Sequence, residues 1–438
     1  MRGLSSRPWV VPAAIVLLAL AVRIGVVAVD EGYQPRNDPF DYDYHARSIA
    51  AGDGYPRAGF LLQGGSTAIR GPGYPFVLGG LYALTGDSVT AGRLTGAALG
   101  ALAVGLLYLI AGRIWGRRTG LIAAAMAAVF PPLVLLSREL LSESLFIPLM
   151  LAAVLAVLHF RRSGGSPWWA ALAGVLCGAA ILTRNVGAVL LVAVIVGVSM
   201  PAMSAVARRL LPAAVVLACT AAVIAPWTAR NAVEFGRFIP VTTSTGYTAA
   251  GIYNQGSFDD DRAAGAWRNP QIVPEYTALF RTQGIDEATV DATLRRETRE
   301  FALEHPLYVA ESAGWNLLRM MELMGGSVVD AEGEAVYDRG VGSELSWWER
   351  AGIALAVLLA VLGVTAMVRS GRREGGPPRI ARGPLFMWLI PILIVLAAAP
   401  IGGLPRYRLP ADPFLLMLAA IGAAWAWDSI AGRRRGIA

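Results

Sequence analysis

Long apolar stretches separated by short arginine-bearing turns make up most of the chain. Runs long enough to cross about 30 Å of hydrocarbon, which takes roughly 17–25 helical residues, fall at 9–29, 91–112, 119–136, 144–160, 168–184, 186–203, 210–228, 350–368, 385–402 and 412–430. The pattern predicts an all-α polytopic membrane protein, a helix bundle of about ten spans. Two intervals break it, residues 30–90 and 229–348, and the second is polar and long enough for a small domain. The chain therefore divides into an N-terminal transmembrane module over 1–228 that includes the first loop, a loop or lid domain over 229–348, and a C-terminal transmembrane module over 349–438. Within the lid, the helical periodicity of "DEATVDATLRRETREFALEHPLYVAESAGWNLLRMMEL" breaks near Pro306. Beyond it Leu307, Trp315, Leu317, Leu318 and Met321 fit either an amphipathic helix lying in the membrane interface or an ordinary helix of the lid.

Composition sharpens this picture. With 55% hydrophobic and only 16% charged residues and a mean hydropathy of +0.52, a soluble globular protein of this length is excluded. Basic residues in short loops stay cytoplasmic. Arg2 and Arg7, the set Arg113, Arg117 and Arg118, the pairs Arg161–Arg162 and Arg208–Arg209, the group Arg369, Arg372, Arg373, Arg379 and Arg382, and the terminal Arg433, Arg434 and Arg435 share one side only if both termini are cytoplasmic. Both long intervals then lie outside, in a multi-pass protein of the cell membrane. The net charge of +7 follows from this topology and calls for no nucleic acid partner. Arg23 interrupts the first apolar run and no small-residue cleavage site follows, so that run reads as a retained span rather than a signal peptide. Cys177 and Cys219 both fall inside predicted spans, so no disulfide framework or thiolate metal site is implied.

Candidate chemistry gathers at the outer ends of the spans. In "NDPFDYDYHARSIAAGDGYP", Asp38 followed by Pro39 reads as an N-cap with proline at the first helical position, opening a short helix to about Ala51. On it Phe40 and Tyr44 share one face, Asp41 and His45 another, and Asp43 pairs with Arg47. Caps and solvated faces account for these acids locally, and Asp41 with His45 is too small a set to define a metal site. The same membrane level also collects Arg70 and Tyr74 in "AIRGPGYPF", Glu139 and Glu143 four residues apart in "LLSRELLSESLF", Arg184 in "ILTRN", Arg230 in "PWTARN", and Arg406, Tyr407 and Arg408 in "GLPRYRLPADP". Taken singly, the glutamates can neutralise Arg138, and Arg184 and Arg230 can reach lipid headgroups. Taken together, acids and arginines from separate spans at one depth point to a functional site. Between Pro405 and Pro410 an extended segment would aim Arg406 and Arg408 the same way, as a phosphate fork.

The ordered set of an acid after span one, "GPGYP", "LLSESLF", "LTRN", "PWTARNAVEFGRF", "EHPLYV" and "PRYRLPADPFLL" resembles the polytopic GT-C class glycosyltransferases. It is most similar to the bacterial branch related to the dolichyl-phosphate-mannose-protein mannosyltransferases and the lipid A aminoarabinose transferase. The resemblance implies a sugar donor linked to polyprenyl phosphate, transfer with inversion on the outer face, and Asp38 as the loop acid with Tyr42 four residues on. Pro39 stands where that family usually has a glutamate, which leaves Asp41 as its substitute.

The residue types fit such chemistry independently. An acceptor hydroxyl needs a carboxylate to take its proton, a role for Asp38, and a leaving lipid phosphate needs guanidiniums. Arg184, Arg230, Arg406 and Arg408 are the candidates, with Arg23 reaching out from deeper in span one. No cofactor is required, although Asp38, Asp41 and Glu143 have the oxygen ligands a divalent cation takes. The acceptor is a glycan, a lipid or a protein hydroxyl. A transporter or flippase would instead place charges near mid-membrane in repeated halves, and a ligase of lipid-linked glycans would not need the acid after span one.

Overall fold

The computed structural model describes residues 8–57, 62, 64–200, 206–329, 335–336, 347–370 and 382–435. Arg2, Arg7, Arg372, Arg373 and Arg379 lie outside the described residues, as do the side chains of Arg208, Arg209 and Arg433–Arg435.

Each apolar run becomes helix. The N-terminal half is built from α1 (Val10–Ala28), α2 (Asp38–Ala50), α3 (Gly73–Thr85), α4 (Val89–Trp115), α5 (Arg117–Val129), α6 (Pro131–Leu135), α7 (Glu143–Arg162), α8 (Pro167–Thr183), α9 (Gly187–Ser199) and α10 (Val206–Phe235). The segment predicted to lie outside, called the outer segment below, follows with α11 (Ser244–Ala250), α12 (Gln255–Phe258), α13 (Pro274–Arg281), α14 (Glu287–Glu304) and α15 (Pro306–Met320), and α16 (Trp347–Ser370), α17 (Leu385–Ala398) and α18 (Asp412–Arg435) close the bundle. Six of these helices are long and apolar enough to cross a membrane, seven if α5 and the bent piece after it form one broken span. The expectation of about ten reaches that number only with α8, α9 and α17, which are apolar but shorter.

The break after α5 shows how the bundle settles a polar residue. Pro131 and Pro132 offer no N–H to continue the helix, and the chain bends by 57°. The last carbonyls of α5 are left without helical partners, and Arg23, 1% exposed, donates to those of Ala127 and Ala128, both at 3.1 Å. Arg23 thus does not reach outward to a phosphate or an acid, because these buried carbonyls already need it.

At one end of the bundle the predicted cytoplasmic arginines meet. Arg162 donates to the Arg113 carbonyl at 2.9 Å, and Arg118 pairs with Asp428 near the end of α18. At the other end lie α2, α3 and the outer segment. The interval 30–90 holds a second helix, α3, packed on α2 and tied to it by Tyr82 Oη donating to Asp43 at 2.7 Å. The anticipated pair of Asp43 with Arg47 forms at 2.8 Å. The outer segment adds a small sheet of two-residue strands, β1 (Trp267–Arg268) parallel to β2 (Val328–Val329), which is antiparallel to β3 (Ala335–Val336). The helical break falls at Pro306, the first residue of α15. That helix buries Ser312, Asn316 and Arg319 against the protein and leaves Leu307, Leu317 and Leu318 exposed, along with Glu311, while Trp315 and Met321 are half-buried.

Candidate active site

Asp38 is not a cap. Asn37, at a φ of 53°, precedes the helix, and Asp38 is its first residue. Its carboxylate is left for tertiary partners: Oδ1 accepts from Arg70 Nη2 and Oδ2 from Arg406 Nη2. Arg70 Nε also donates to Asp41 Oδ2 at 2.5 Å, so one guanidinium spans both carboxylates on the same helix. Burial raises the Asp38 carboxyl, but the Arg406 and Arg70 guanidiniums outweigh it and hold the group well below the usual carboxylate range. Burial likewise opposes the charge on Arg70, and Asp38 and Asp41 more than restore it.

Behind this pair sits a second one. Glu143, fully buried, forms an ion pair with Arg184 Nη1 at 2.6 Å, and Arg406 Nε lies 3.9 Å from the same oxygen. Asp38, Arg406, Glu143 and Arg184 thus form a continuous run of alternating charge. Ser142 Oγ accepts from Arg184 at 3.0 Å and from Tyr42 Oη at 3.0 Å. The Tyr42 ring carries the Arg70 guanidinium at 5.2 Å and is braced edge-on by the buried Tyr74 at 5.1 Å. Tyr407 lies beside both arginines, 5.6 Å from Arg406 and 6.0 Å from Arg184.

The "RGPG" turn sets the loop of Arg70 against the end of α8 that carries Arg184. A Cβ on Gly71 would sit 2.4 Å from the Leu182 carbonyl oxygen, and one on Gly73 2.6 Å from Thr183 Oγ1, so only glycine lets this loop press on the C-terminal end of α8, one residue before Arg184. A residue that sequence reasoning missed holds the loop from the other side. Glu287, in the first turn of α14, accepts from Thr67 Oγ1 at 2.7 Å, from Ala68 N at 2.8 Å and from Thr243 Oγ1. No periodicity signals it, because its partners lie 44, 219 and 220 residues away.

Three expectations are corrected. Glu139 and Glu143 do not share a helix face: the chain forms a 3-10 turn over Leu136–Arg138 and α7 begins only at Glu143. Neither neutralises Arg138, which pairs with Asp30 at 3.1 Å, while Glu139 accepts from Tyr33 Oη at 2.7 Å. Arg230 still belongs to α10, which runs on to Phe235, and donates to the Thr67 carbonyl at 2.9 Å while stacking on Trp227 at 4.9 Å. It supports the loop carrying Arg70 without touching Asp38. Arg406 and Arg408 do not point together, because Pro405–Arg408 is a 3-10 helix of about three residues per turn, in which residues two apart diverge. Arg408 faces away, to Asp412 at 3.0 Å and the Met320 carbonyl at 2.9 Å.

A cavity of about 600 Å³ opens above the acids, in the range typical of small-molecule sites. Asp38, Asp41, Arg70, Glu139, Arg406 and Tyr407 line it together with residues of the outer segment. Tyr42, Tyr74, Glu143, Arg184, Arg230 and Arg408 do not line it. Among the described residues, no three His, Cys, Asp or Glu side chains come together as a metal-ligating group. His45 Nδ1 lies 2.6 Å from the Asp41 carbonyl oxygen instead.

Comparison with known proteins gives this arrangement a class. Residues 69–229, under half of the chain, match the family described as dolichyl-phosphate-mannose-protein mannosyltransferase. The archaeal oligosaccharyltransferase AglB from Archaeoglobus fulgidus, in complex with an inhibitory peptide and a dolichol-phosphate, shares the fold with a TM-score of 0.54, at 15% identity over 97% of this chain and 51% of that one. Its apo form gives 0.54 at 13% identity over 98% and 52%. ArnT from Cupriavidus metallidurans bound to undecaprenyl phosphate is 17% identical over 95% of this chain and 77% of its own, with a TM-score of 0.46. No curated protein matches the sequence. The chain has the GT-C fold and spans about half the length of the oligosaccharyltransferase it matches.

Proposed function

We propose that this chain is a membrane glycosyltransferase that moves a sugar from a polyprenyl-phosphate donor to an acceptor hydroxyl, with inversion, on the extracytoplasmic face. The observation that carries the reading is the Asp38 carboxylate held between Arg70 and Arg406 on the wall of a large cavity. The family matched by residues 69–229 is named for a dolichyl-phosphate donor, and the AglB complex contains a dolichol-phosphate.

Chemistry in this site follows from its charges. In the resting state Asp38 is a weak base, because two guanidiniums hold its pKa down. A donor phosphate competes for those guanidiniums, and as Arg406 and Arg70 turn to it the Asp38 carboxylate regains basicity. The acceptor oxygen then attacks the anomeric carbon from the side opposite the phosphate while its proton passes to Asp38. The bond from the anomeric carbon to the phosphate oxygen breaks, and its electron pair leaves on the lipid phosphate, whose charge is met by Arg406 and Arg70 with Arg184 behind. Asp41 keeps Arg70 in register and stands in for the second family acid.

Incubating the purified chain in lipid nanodiscs with radiolabelled mannosyl- and arabinosyl-phosphoundecaprenol tests the reading. Release or transfer of labelled sugar is expected. Intact donor with every sugar, in protein that binds neither lipid, would overturn it.

A further inference from the structure

The cavity lining has two chemically different parts. Beside the arginines and carboxylates, the outer segment contributes Ser244, Tyr247, Thr248, Trp267, Asn269 and Gln271 to the lining, none of them charged. This wall is pre-set by its own hydrogen bonds. Trp267 Nε1 donates to the Thr248 carbonyl at 3.2 Å, which fixes the indole, and its ring lies 5.8 Å from that of Tyr247. The Asn269 side-chain Oδ1 accepts from Tyr247 Oη at 2.8 Å and from Gln271 N at 3.0 Å, which commits the acceptor end of that amide and leaves its NH2 as the donor end.

We propose that this wall is a subsite for a neutral saccharide, and that the saccharide is the acceptor whose hydroxyl is glycosylated; the assignment rests on the transferase reading above. A fixed, half-buried indole beside planar amides and hydroxyls suits a sugar ring, whose C–H faces are apolar and whose edge carries hydroxyls that both donate and accept. The division of charge matches the division of labour: the phosphate of the donor requires the arginine side, whereas an uncharged polyol gains nothing from it and is not repelled by the neutral wall. In-line displacement places the acceptor across the donor sugar from the phosphate. An extended peptide would dock by pairing with a strand edge, but the amides of β1 are already used, Trp267 N by the Ser327 carbonyl at 3.1 Å and Arg268 N by that of Gly251 at 2.8 Å.

The test compares wild type, Trp267→Ala, Trp267→Phe and Gln271→Ala as full chains in nanodiscs. Binding is followed by saturation-transfer NMR with maltose, mannobiose and galactobiose and with a serine- and threonine-rich peptide, and by titration with undecaprenyl phosphate and mannosyl-phosphoundecaprenol. At least one disaccharide should bind the wild type, weaken about tenfold or more in Trp267→Ala and Gln271→Ala, and recover in Trp267→Phe, with affinity for both lipids kept in every variant. No disaccharide binding, binding indifferent to these variants, or Trp267-dependent binding of the peptide would overturn the proposal. Weakened mannosyl-lipid with unchanged bare lipid would assign the wall to the donor's own sugar and overturn it equally. Failure of the wild type to bind either lipid would instead count against the transferase reading, whatever the disaccharides do.

Discussion

Arg406 and Arg408 stand two positions apart and serve opposite regions. Arg406 reaches across the molecule to Asp38, 368 residues away, and both line the cavity. Arg408 pairs with Asp412 four residues on, and with the Met320 carbonyl and Glu322 at the end of α15. The first cluster faces space that a substrate can enter, and its ion pairs can be exchanged for a ligand's. The second is closed in on itself between the outer segment and the start of α18, so its ion pairs join parts of the chain. Similar buried arginine–carboxylate chemistry thus lines a cavity at one end of a single 3-10 turn and joins segments of the chain at the other.

The sharpest way to break this comparison is to neutralise one acid in each cluster. Asp38→Asn should cut sugar transfer by about 100- to 10,000-fold, the usual contribution of a general base, while undecaprenyl phosphate still binds. Asp412→Asn should lower the melting temperature and leave turnover per folded molecule near normal. A well-folded Asp38→Asn enzyme with normal turnover would remove Asp38 from the chemistry.

A smaller effect separates the arginines themselves. Arg406→Lys keeps the charge but loses the planar fork, and should weaken lipid phosphate binding by roughly 10- to 100-fold, the value of about 1.5–3 kcal/mol for a hydrogen bond to a charged group. Arg408→Lys should leave that affinity alone and reduce thermal stability. Equal losses of affinity in both would mean that the second cluster also belongs to the site.

The pH dependence tests the exchange of partners at Asp38. With its pKa held low in the free enzyme, the acid limb of kcat/KM should lie below the free aspartate value of about 3.9, whereas the limb of kcat, which reports the enzyme–substrate complex, should lie higher. Coincident limbs would argue against release of the arginines. Linkage gives stability the same sign: because the folded pKa is depressed, the ion pairs of Asp38 stabilise the protein above the unfolded value and lose that contribution only as pH falls through the folded one. The advantage in melting temperature of wild type over Asp38→Asn should accordingly be full at pH 7 and disappear in strong acid.

The smallest expected effect is that of metal removal. If guanidiniums carry the charge of the leaving phosphate, transfer should survive EDTA. Loss on chelation, restored by Mg²⁺ or Mn²⁺, would put a cation beside Asp38 and Asp41.

What could be read from the sequence was set by short-range geometry. Apolar runs gave helices because an isolated backbone in hydrocarbon must satisfy its own hydrogen bonds. The pairing of Asp43 with Arg47 and the break at Pro306 follow from helical spacing and from the missing proline N–H. The residues that meet around Asp38 were visible as types at a common depth. Their pairing was not, since Asp38 with Arg70 and Arg406, Arg184 with Glu143, and Glu287 with Thr67 and Ala68 join segments brought together only by helix packing. The extended reading of "PRYRLP" failed for the same reason. Which way Arg406 and Arg408 turn depends on the 3-10 turn they occupy and on the buried partners at Asp38, Glu143 and Met320, and a pattern along the chain carries no record of which distant carboxylate or carbonyl remains to be satisfied once the core has closed.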